Sequence, residues 1–159
     1  MSRRTEILIR NATIKDLDSI QEIEDASFAD NDDPFPRRVF LNFLRKYPEG
    51  FRIAEQDSFV VGYCYTSPPE RRLFSKNPKA TIYSLAVSPS QRRLGIGSML
   101  LRDAIDRLRG RRVILELQVA VQNIAAQELY KKFGFAITGT RYHYYGAGKD
   151  AYEMNLEIP

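Results

Sequence analysis

The segment from Ala80 to Leu108 constrains the chain more than any other, because it passes from strand to loop to helix without a break. Ala80–Val87 is nearly continuous in apolar content, which suits a central strand covered on both faces. Ser88–Gly97 is a short basic loop whose second half reads Gln91-Arg92-Arg93-Leu94-Gly95-Ile96-Gly97. Beyond it, Met99, Leu100, Ala104, Ile105 and Leu108 recur at helical spacing, which predicts one buried face, with Gly110 as the C-cap. Two glycines one residue apart let a backbone turn tightly and present its N–H groups with no Cβ in the way. The helix that follows directs its positive end into the same turn. With two guanidiniums alongside, the turn suits a multiply charged anion, foremost a pyrophosphate.

Two common phosphate-binding patterns do not fit this loop. A P-loop needs a Lys and then Ser or Thr just after the second glycine, whereas Ile96-Gly97-Ser98 has no such Lys. A dinucleotide fingerprint needs a third glycine, and Leu100 holds that place.

The rest of the chain supplies the elements around this unit. Ile7–Arg10 reads as a first strand. Thr13-Ile14-Lys15-Asp16 fits a capping box, and Ile14, Leu17, Ile20 and Ile23 follow at helical spacing to about Ala26. Ser27–Pro36 is a loop by its Pro and Asx content; it holds Asp30, Asp32, Asp33, Phe28 and Phe35 and reads equally as a site for a cationic amine or as a solvated acidic turn. Val39, Phe40, Phe43 and Leu44 form a second amphipathic segment. Phe51–Glu55 and Phe59–Tyr65 are short β-rich runs joined by Gln56-Asp57-Ser58, a hairpin turn by length and composition. Pro68-Pro69 and Asn77-Pro78 bracket a basic loop with Arg71, Arg72, Lys76 and Lys79, read as solvated. Val113–Val121 predicts a strand, and Asn123–Phe133 a helix with Ala126, Leu129, Tyr130 and Phe133 on one side. Gly134-Phe135 stops that helix, and strands follow near Ala136–Tyr142 and Ala151–Ile158. The order is β-α-α-β-β-β-α-β-α-β-β, a mixed α/β domain over 1–159 with one central sheet.

Composition narrows the partners. A formal charge of +4 suits an anionic ligand, but 24 basic residues stand against 20 acidic ones and the aromatics do not interleave with the arginines, so no specific nucleic acid is expected. Cys64 is the single cysteine, so no internal disulfide forms; in its apolar run it reads as a core thiol in a reducing compartment. No group of Cys, His or carboxylates has metal-ligand spacing, so no metal is expected. No apolar run approaches the roughly 18 residues that cross a bilayer, and Met1-Ser2-Arg3-Arg4-Thr5-Glu6 lacks a signal-peptide core, so a cytoplasmic protein with no membrane partner is expected.

The motifs taken together are more specific than the loop alone. Arg92-x-x-Gly95-x-Gly97 after Leu85-Ala86-Val87, then Asn123-x-x-Ala126-x-x-Leu129-Tyr130 and Gly134-Phe135, resembles the GNAT superfamily of N-acetyltransferases over essentially the whole chain. Arg141-Tyr142-His143-Tyr144-Tyr145, with Asp150-Ala151 and Met154, is similar to the protein N-terminal acetyltransferases of the RimI and archaeal Ard1 kind. The resemblance implies a central, mostly antiparallel sheet splayed between the fourth and fifth strands and flanked by four helices. It also implies acetyl-CoA as cosubstrate. Its pyrophosphate would lie on Arg92, Arg93, Leu94, Gly95, Ile96, Gly97 and Ser98, and its pantetheine along Leu85, Ala86 and Val87. Asn123 and Tyr130 would lie beside the thioester, with Tyr130 protonating the departing thiolate; without that resemblance Tyr130 reads as a core aromatic.

The reaction needs a neutral amine, an oxyanion donor, here a backbone N–H near Val87, and an acid for the leaving sulfur. An α-amine with a pKa near 8 is neutral about 10% of the time at pH 7, a lysine amine only about 0.04%. A protein N-terminus therefore asks only for a modest base. Glu116 is the candidate, directly or through a water, although the bacterial relatives carry their glutamate at the place of Gln118. Residues two apart on a strand share a face, so both can point into the site. Thr81 stands where some eukaryotic relatives have a tyrosine. Tyr144 and Tyr145 are the expected clamp on the substrate peptide, with Phe28 and Phe35 as the opposite wall, and His143 is expected at the surface because it alternates away from Tyr144. The substrate partner is then a protein or peptide N-terminus, with ribosome association left open. The alternatives are acetylation of a small amine such as a polyamine or amino sugar, and a non-catalytic acyl-CoA-binding module.

Overall fold

The structure, a computed structural model, describes residues 5–28 and 34–159. The expected Asp30–Asp33 part of the acidic loop lies outside the described residues. The chain forms two compact units that share one strand: the described residues up to Thr66 with Ser84–Ala104, and Ser67–Tyr83 with Ile105–Pro159.

The first unit opens with β1 (Ile7–Asn11) and a 3-10 turn at Ile14–Asp16, followed by α1 (Leu17–Phe28) and α2 (Arg37–Lys46). The capping segment therefore starts a tight turn rather than the first turn of the α-helix. The reason is Asp16. Its carboxylate accepts from the Thr13 N–H at 2.8 Å and from two nitrogens of Arg10 at 2.8 and 2.9 Å, and Arg10 also reaches Glu55 at 2.6 Å. The Arg10 guanidinium holds the Asp16 carboxyl below its ordinary range.

β2 (Phe51–Gln56) and β3 (Phe59–Thr66) make the predicted hairpin. Asp57 and Ser58 both take left-handed φ, 51° and 68°, the geometry that matches a two-residue turn to strand twist. Ala54 pairs with Gly62 but Glu55 with Val60, so Val61 is bulged out of β3. Phe40 lies at the centre of this unit's core, stacked on Phe51 at 6.1 Å and edge-on to Tyr63 at 5.5 Å. Arg52 of β2 grips Asp103 through two nitrogens at 3.0 and 3.2 Å, fixing the helix α3 (Ile96–Asp106) to the meander. Cys64 is buried, and burial pushes its thiol up to about 12, in keeping with a core role.

In the second unit, β4 (Lys79–Val87) pairs in parallel with β5 (Val113–Ala120) only from Lys79 opposite Ile114 to Thr81 opposite Glu116. Past that point the two strands splay. β7 (Ala151–Ile158) pairs antiparallel along all of β5 with no register shift, and β6 (Ala136–Arg141) edges it. The strand order is β1-β2-β3-β4-β5-β7-β6, and α4 (Ile124–Lys132) is the fourth helix. This is the mixed α/β architecture expected, mostly antiparallel with its opening between the fourth and fifth strands. Among the described residues no helix is long and apolar enough to cross a membrane.

Two helix faces depart from the predicted ones. Met99 is 37% exposed while Leu101 is fully buried, because α3 starts at Ile96 and turns Ile96, Leu100, Leu101 and Ala104 inward. On α4 the buried pair is Gln127 and Tyr130, with Ala126, Leu129 and Phe133 only half-buried.

Candidate active site

The loop after β4 belongs to the first unit. Ser88 donates its N–H to Val61 O at 2.8 Å, and Pro89–Gln91 makes a single 3-10 turn. Arg93 and Gly95 both take left-handed φ, 66° and 81°, which brings the chain sharply into α3; the first α-helical bond runs from the Met99 N–H to Gly95 O at 3.0 Å. The amides of Ile96, Gly97 and Ser98 thus open the helix with no acceptor inside it. A Cβ on Gly95 would meet nothing within 4 Å, so the space over the turn is open. Arg92 braces the loop, with Nε on Val87 O at 3.3 Å and Nη2 on Ser27 Oγ at 3.2 Å.

The position of α3 depends on Gly62, which the sequence did not single out. A Cβ there would stand 3.1 Å from Ala86 O, 3.1 Å from Leu100 Cδ1 and 3.3 Å from Ile96 Cγ2. Gly62→Val is expected to lift the first turn of α3 from the sheet and lower stability by about 2 kcal/mol, the usual scale of overpacking. Urea denaturation of the two proteins checks it.

A buried polar group lies beneath β4 in the same unit. Glu24 of α1 is 3% exposed; it accepts from the Tyr63 phenol, from Ser84 Oγ at 3.3 Å and from the Phe35 N–H at 2.9 Å. Burial pushes its carboxyl above the ordinary value of 4.5, against the opposing pull of those donors. Glu24 thereby ties the stretch that follows the acidic loop to the strand residue next to Leu85. Phe28 and Phe35 pack against the unit's core, Phe35 edge-on to Phe40 and Phe43 at 6.1 Å each.

The second unit holds the other candidates. Val113, Leu115, Leu117 and Val119 are buried along one side of β5, and Ile114, Glu116, Gln118 and Ala120 line the other, so Glu116 and Gln118 do share a face. The Glu116 carboxylate is not bare. Oε1 accepts from Arg72 Nη1 at 2.7 Å and Thr81 Oγ1 at 3.2 Å, and Oε2 lies 3.6 Å from Lys79 Nζ. The basic loop read as merely solvated therefore delivers Arg72, and the start of β4 delivers Lys79, to one carboxylate. The signal was hidden because the partners lie forty or so residues apart and meet only through strand pairing.

Asn123 is the N-cap of α4, accepting from the Ala126 N–H at 3.1 Å. Gln127, also missed, donates through Nε2 to Ala120 O at 3.1 Å and Val121 O at 2.8 Å, stapling α4 to the end of β5. A polar residue three before Tyr130, on the same helix face, is the signal that could have found it. Gln127→Leu would take the side-chain donor from Val121 O, while Ala120 O keeps the Asn123 N–H at 2.9 Å; a loss of about 1 kcal/mol in urea unfolding and a lower kcat, through displacement of α4, are expected.

Tyr130 is buried, its ring 5.7 Å from that of Phe135. Tyr144 and Tyr145 meet edge to face at 4.8 Å, and Arg141 lies 5.9 Å over the Tyr144 ring. They sit on a turn rather than a strand, since β6 stops at Arg141. His143 is exposed, as expected, but for a different reason than strand alternation: its φ is 56°, its N–H donates to Asp150 Oδ1 at 2.8 Å, and its Nδ1 accepts from the Gly148 N–H at 2.9 Å.

The strand order, with β4 and β5 paired only over Lys79–Thr81 and a glycine turn feeding α3, is the arrangement that the GNAT resemblance implies, and comparison with known proteins agrees. Residues 17–135 match the acetyltransferase (GNAT) family. The chain is 35% identical to an N-alpha-acetyltransferase of Sulfurisphaera tokodaii over 94% of this chain and 92% of that one. Among solved structures, Ard1 from Thermoplasma volcanium superposes with a TM-score of 0.84 at 28% identity, covering 96% of this chain and 98% of that one. A NatC complex bound to Gag peptide and CoA contains a chain with a TM-score of 0.82 at 26% identity, covering 97% and 99%. The chain belongs to the acetyltransferase (GNAT) family, and it is an N-acetyltransferase.

Proposed function

We propose that this enzyme transfers the acetyl group of acetyl-CoA to the N-terminal α-amine of proteins, as one catalytic domain over 1–159. The observation that carries it is the extent of the likeness: it runs over nearly the whole chain of proteins named N-alpha-acetyltransferase, beyond the glycine turn alone. The residues present fit acetyl-CoA. Open space over Gly95 and the acceptor-free amides of Ile96, Gly97 and Ser98 suit a pyrophosphate, with Arg93 and Leu94 in the turn itself. Leu85, Ala86 and Val87 extend β4 past its pairing with β5, leaving backbone groups for the pantetheine.

Acetyl-CoA supplies the thioester; the chain's own groups handle position and protons. Glu116 takes a proton from the α-ammonium, directly or through a water, and passes it to solvent. The neutral nitrogen then bonds to the thioester carbon while the C–S bond breaks, with a backbone N–H near Val87 donating to the carbonyl oxygen. The second proton of the nitrogen goes to solvent as Tyr130 donates its own to the sulfur; Tyr130 is then reprotonated from solvent. Gln118, sharing the face of Glu116, orients the amine or its water but cannot accept its proton. Asn123 fixes the start of the helix that carries Tyr130. Tyr144 and Tyr145 hold the peptide's first residues.

Incubation with acetyl-CoA and N-terminal peptides, with polyamines and an aminoglycoside in parallel, separates the candidates. Acetylated peptides are expected. Acetylation of small amines alone, or acetyl-CoA binding with no product at all, would overturn the proposal.

A further inference from the structure

The Glu116 carboxylate lies where the pairing of β4 with β5 ends, and its partners Arg72, Lys79 and Thr81 belong to its own unit. Arg72 Nη1 binds Oε1 at 2.7 Å, Thr81 Oγ1 shares that oxygen at 3.2 Å, and Lys79 Nζ stands 3.6 Å from Oε2. The two ends of the main ion pair differ in character. The Glu116 side chain is 12% exposed, whereas that of Arg72 is 47% exposed on the loop between Thr66 and Lys79. Glu116 is fixed by the strand and Arg72 reaches it from a solvated segment, so Arg72 is the partner that can leave. On the remaining side, β7 presents Asn155 opposite Glu116 and Glu153 opposite Gln118, and Glu153 is already paired with Arg141 at 2.6 Å. Among the described residues, the charged partners of Glu116 are therefore Arg72 and Lys79, with Thr81 and Gln118 as neutral neighbours.

We infer that Arg72 is a positioning residue that holds Glu116 in the resting enzyme, and that the substrate's α-ammonium takes its place. The inference rests on Glu116 as the acceptor of the amine proton. An ammonium and a guanidinium compete for the same oxygen, so the arginine keeps the carboxylate paired and aimed until a cation arrives to exchange with it. Exchange of one ion pair for another avoids leaving a carboxylate of low exposure without a partner at any stage. The proton then moves from the bound nitrogen to Glu116: an N–H bond breaks, an O–H bond forms, and Arg72 stands released toward solvent.

Steady-state kinetics of Arg72→Gln on an N-terminal peptide at pH 7 tests this. Loss of the competitor is expected to lower the peptide KM about threefold or more while kcat stays within about twofold of the parent, a split that a merely structural role would not give. Arg72→Lys keeps a competing cation, so its KM is expected to stay near the parent value. If Arg72→Gln leaves the KM unchanged or raises it while Glu116→Gln is crippled, the displacement is wrong and the base assignment stands. If Glu116→Gln retains the parent rate, the base assignment itself fails and the role of Arg72 falls with it.

Discussion

Tyr130→Phe is expected to lower kcat by about 10²- to 10³-fold, the range of a lost general acid, while the KM for acetyl-CoA changes by less than about twofold. The substitution removes one oxygen and leaves the ring. That ring is buried and packs 5.7 Å from Phe135, so the core of the second unit and the course of α4 are retained. The proton for the departing sulfur is lost with it. Thiolate is a fair leaving group without help, which is why the expected loss stays at the lower end of the range. Steady-state assays with thiol detection give both constants. A kcat within about threefold of the parent would make Tyr130 a core aromatic and nothing more.

The second large effect lies in stability. Glu24→Leu removes an acceptor that serves the Tyr63 phenol, Ser84 Oγ and the Phe35 N–H at once. Tyr63 and Ser84 can still bond each other at 3.0 Å, but the Phe35 amide has no replacement. A loss of about 3 kcal/mol is expected, which at this chain length is a drop in Tm of roughly 6–12 °C. Glu24→Gln keeps the shape and is expected to be milder, and it isolates the charge. Burial raises the Glu24 carboxyl above 4.5, so its neutral form favours the fold: that contribution is complete below pH 4.5 and is lost as pH rises through the raised folded value. The parent protein should therefore lose stability relative to Glu24→Gln as pH climbs from 4.5. Urea midpoints of the two proteins that run parallel across that range would contradict the burial of a titrating group.

The elements were legible in the sequence wherever one residue's neighbours decide its state. β7 begins and ends at Ala151 and Ile158 as read, and the hairpin turn falls at Asp57-Ser58. Local chemistry also marked the Gly95 turn, because a left-handed φ is set within a few residues; Asn123 was read as the first residue of its helix, and the structure makes it the N-cap. What escaped were features fixed by distant strands. Gly62 looks like any strand glycine until Ile96 and Leu100 are laid on it. The aligned face of Glu116 and Gln118 was legible from alternation, but the cations on Glu116 were not, since Arg72 and Lys79 reach it through the short parallel pairing of β4 with β5. The exposure of His143 was read from strand alternation, whereas it sits on a turn and holds a left-handed φ, which its residue type does not announce.

The most direct measurement uses one peptide that carries both kinds of amine. A synthetic peptide with a free N-terminus and an internal lysine is incubated with acetyl-CoA and the enzyme at pH 7, and the acetyl group is located by fragment-ion mass spectrometry. The account predicts acetyl on the α-amine alone, in line with a neutral fraction roughly two hundred times that of lysine. Acetyl on the lysine side chain, or an unmodified peptide alongside acetylated polyamine in the same tube, would contradict it.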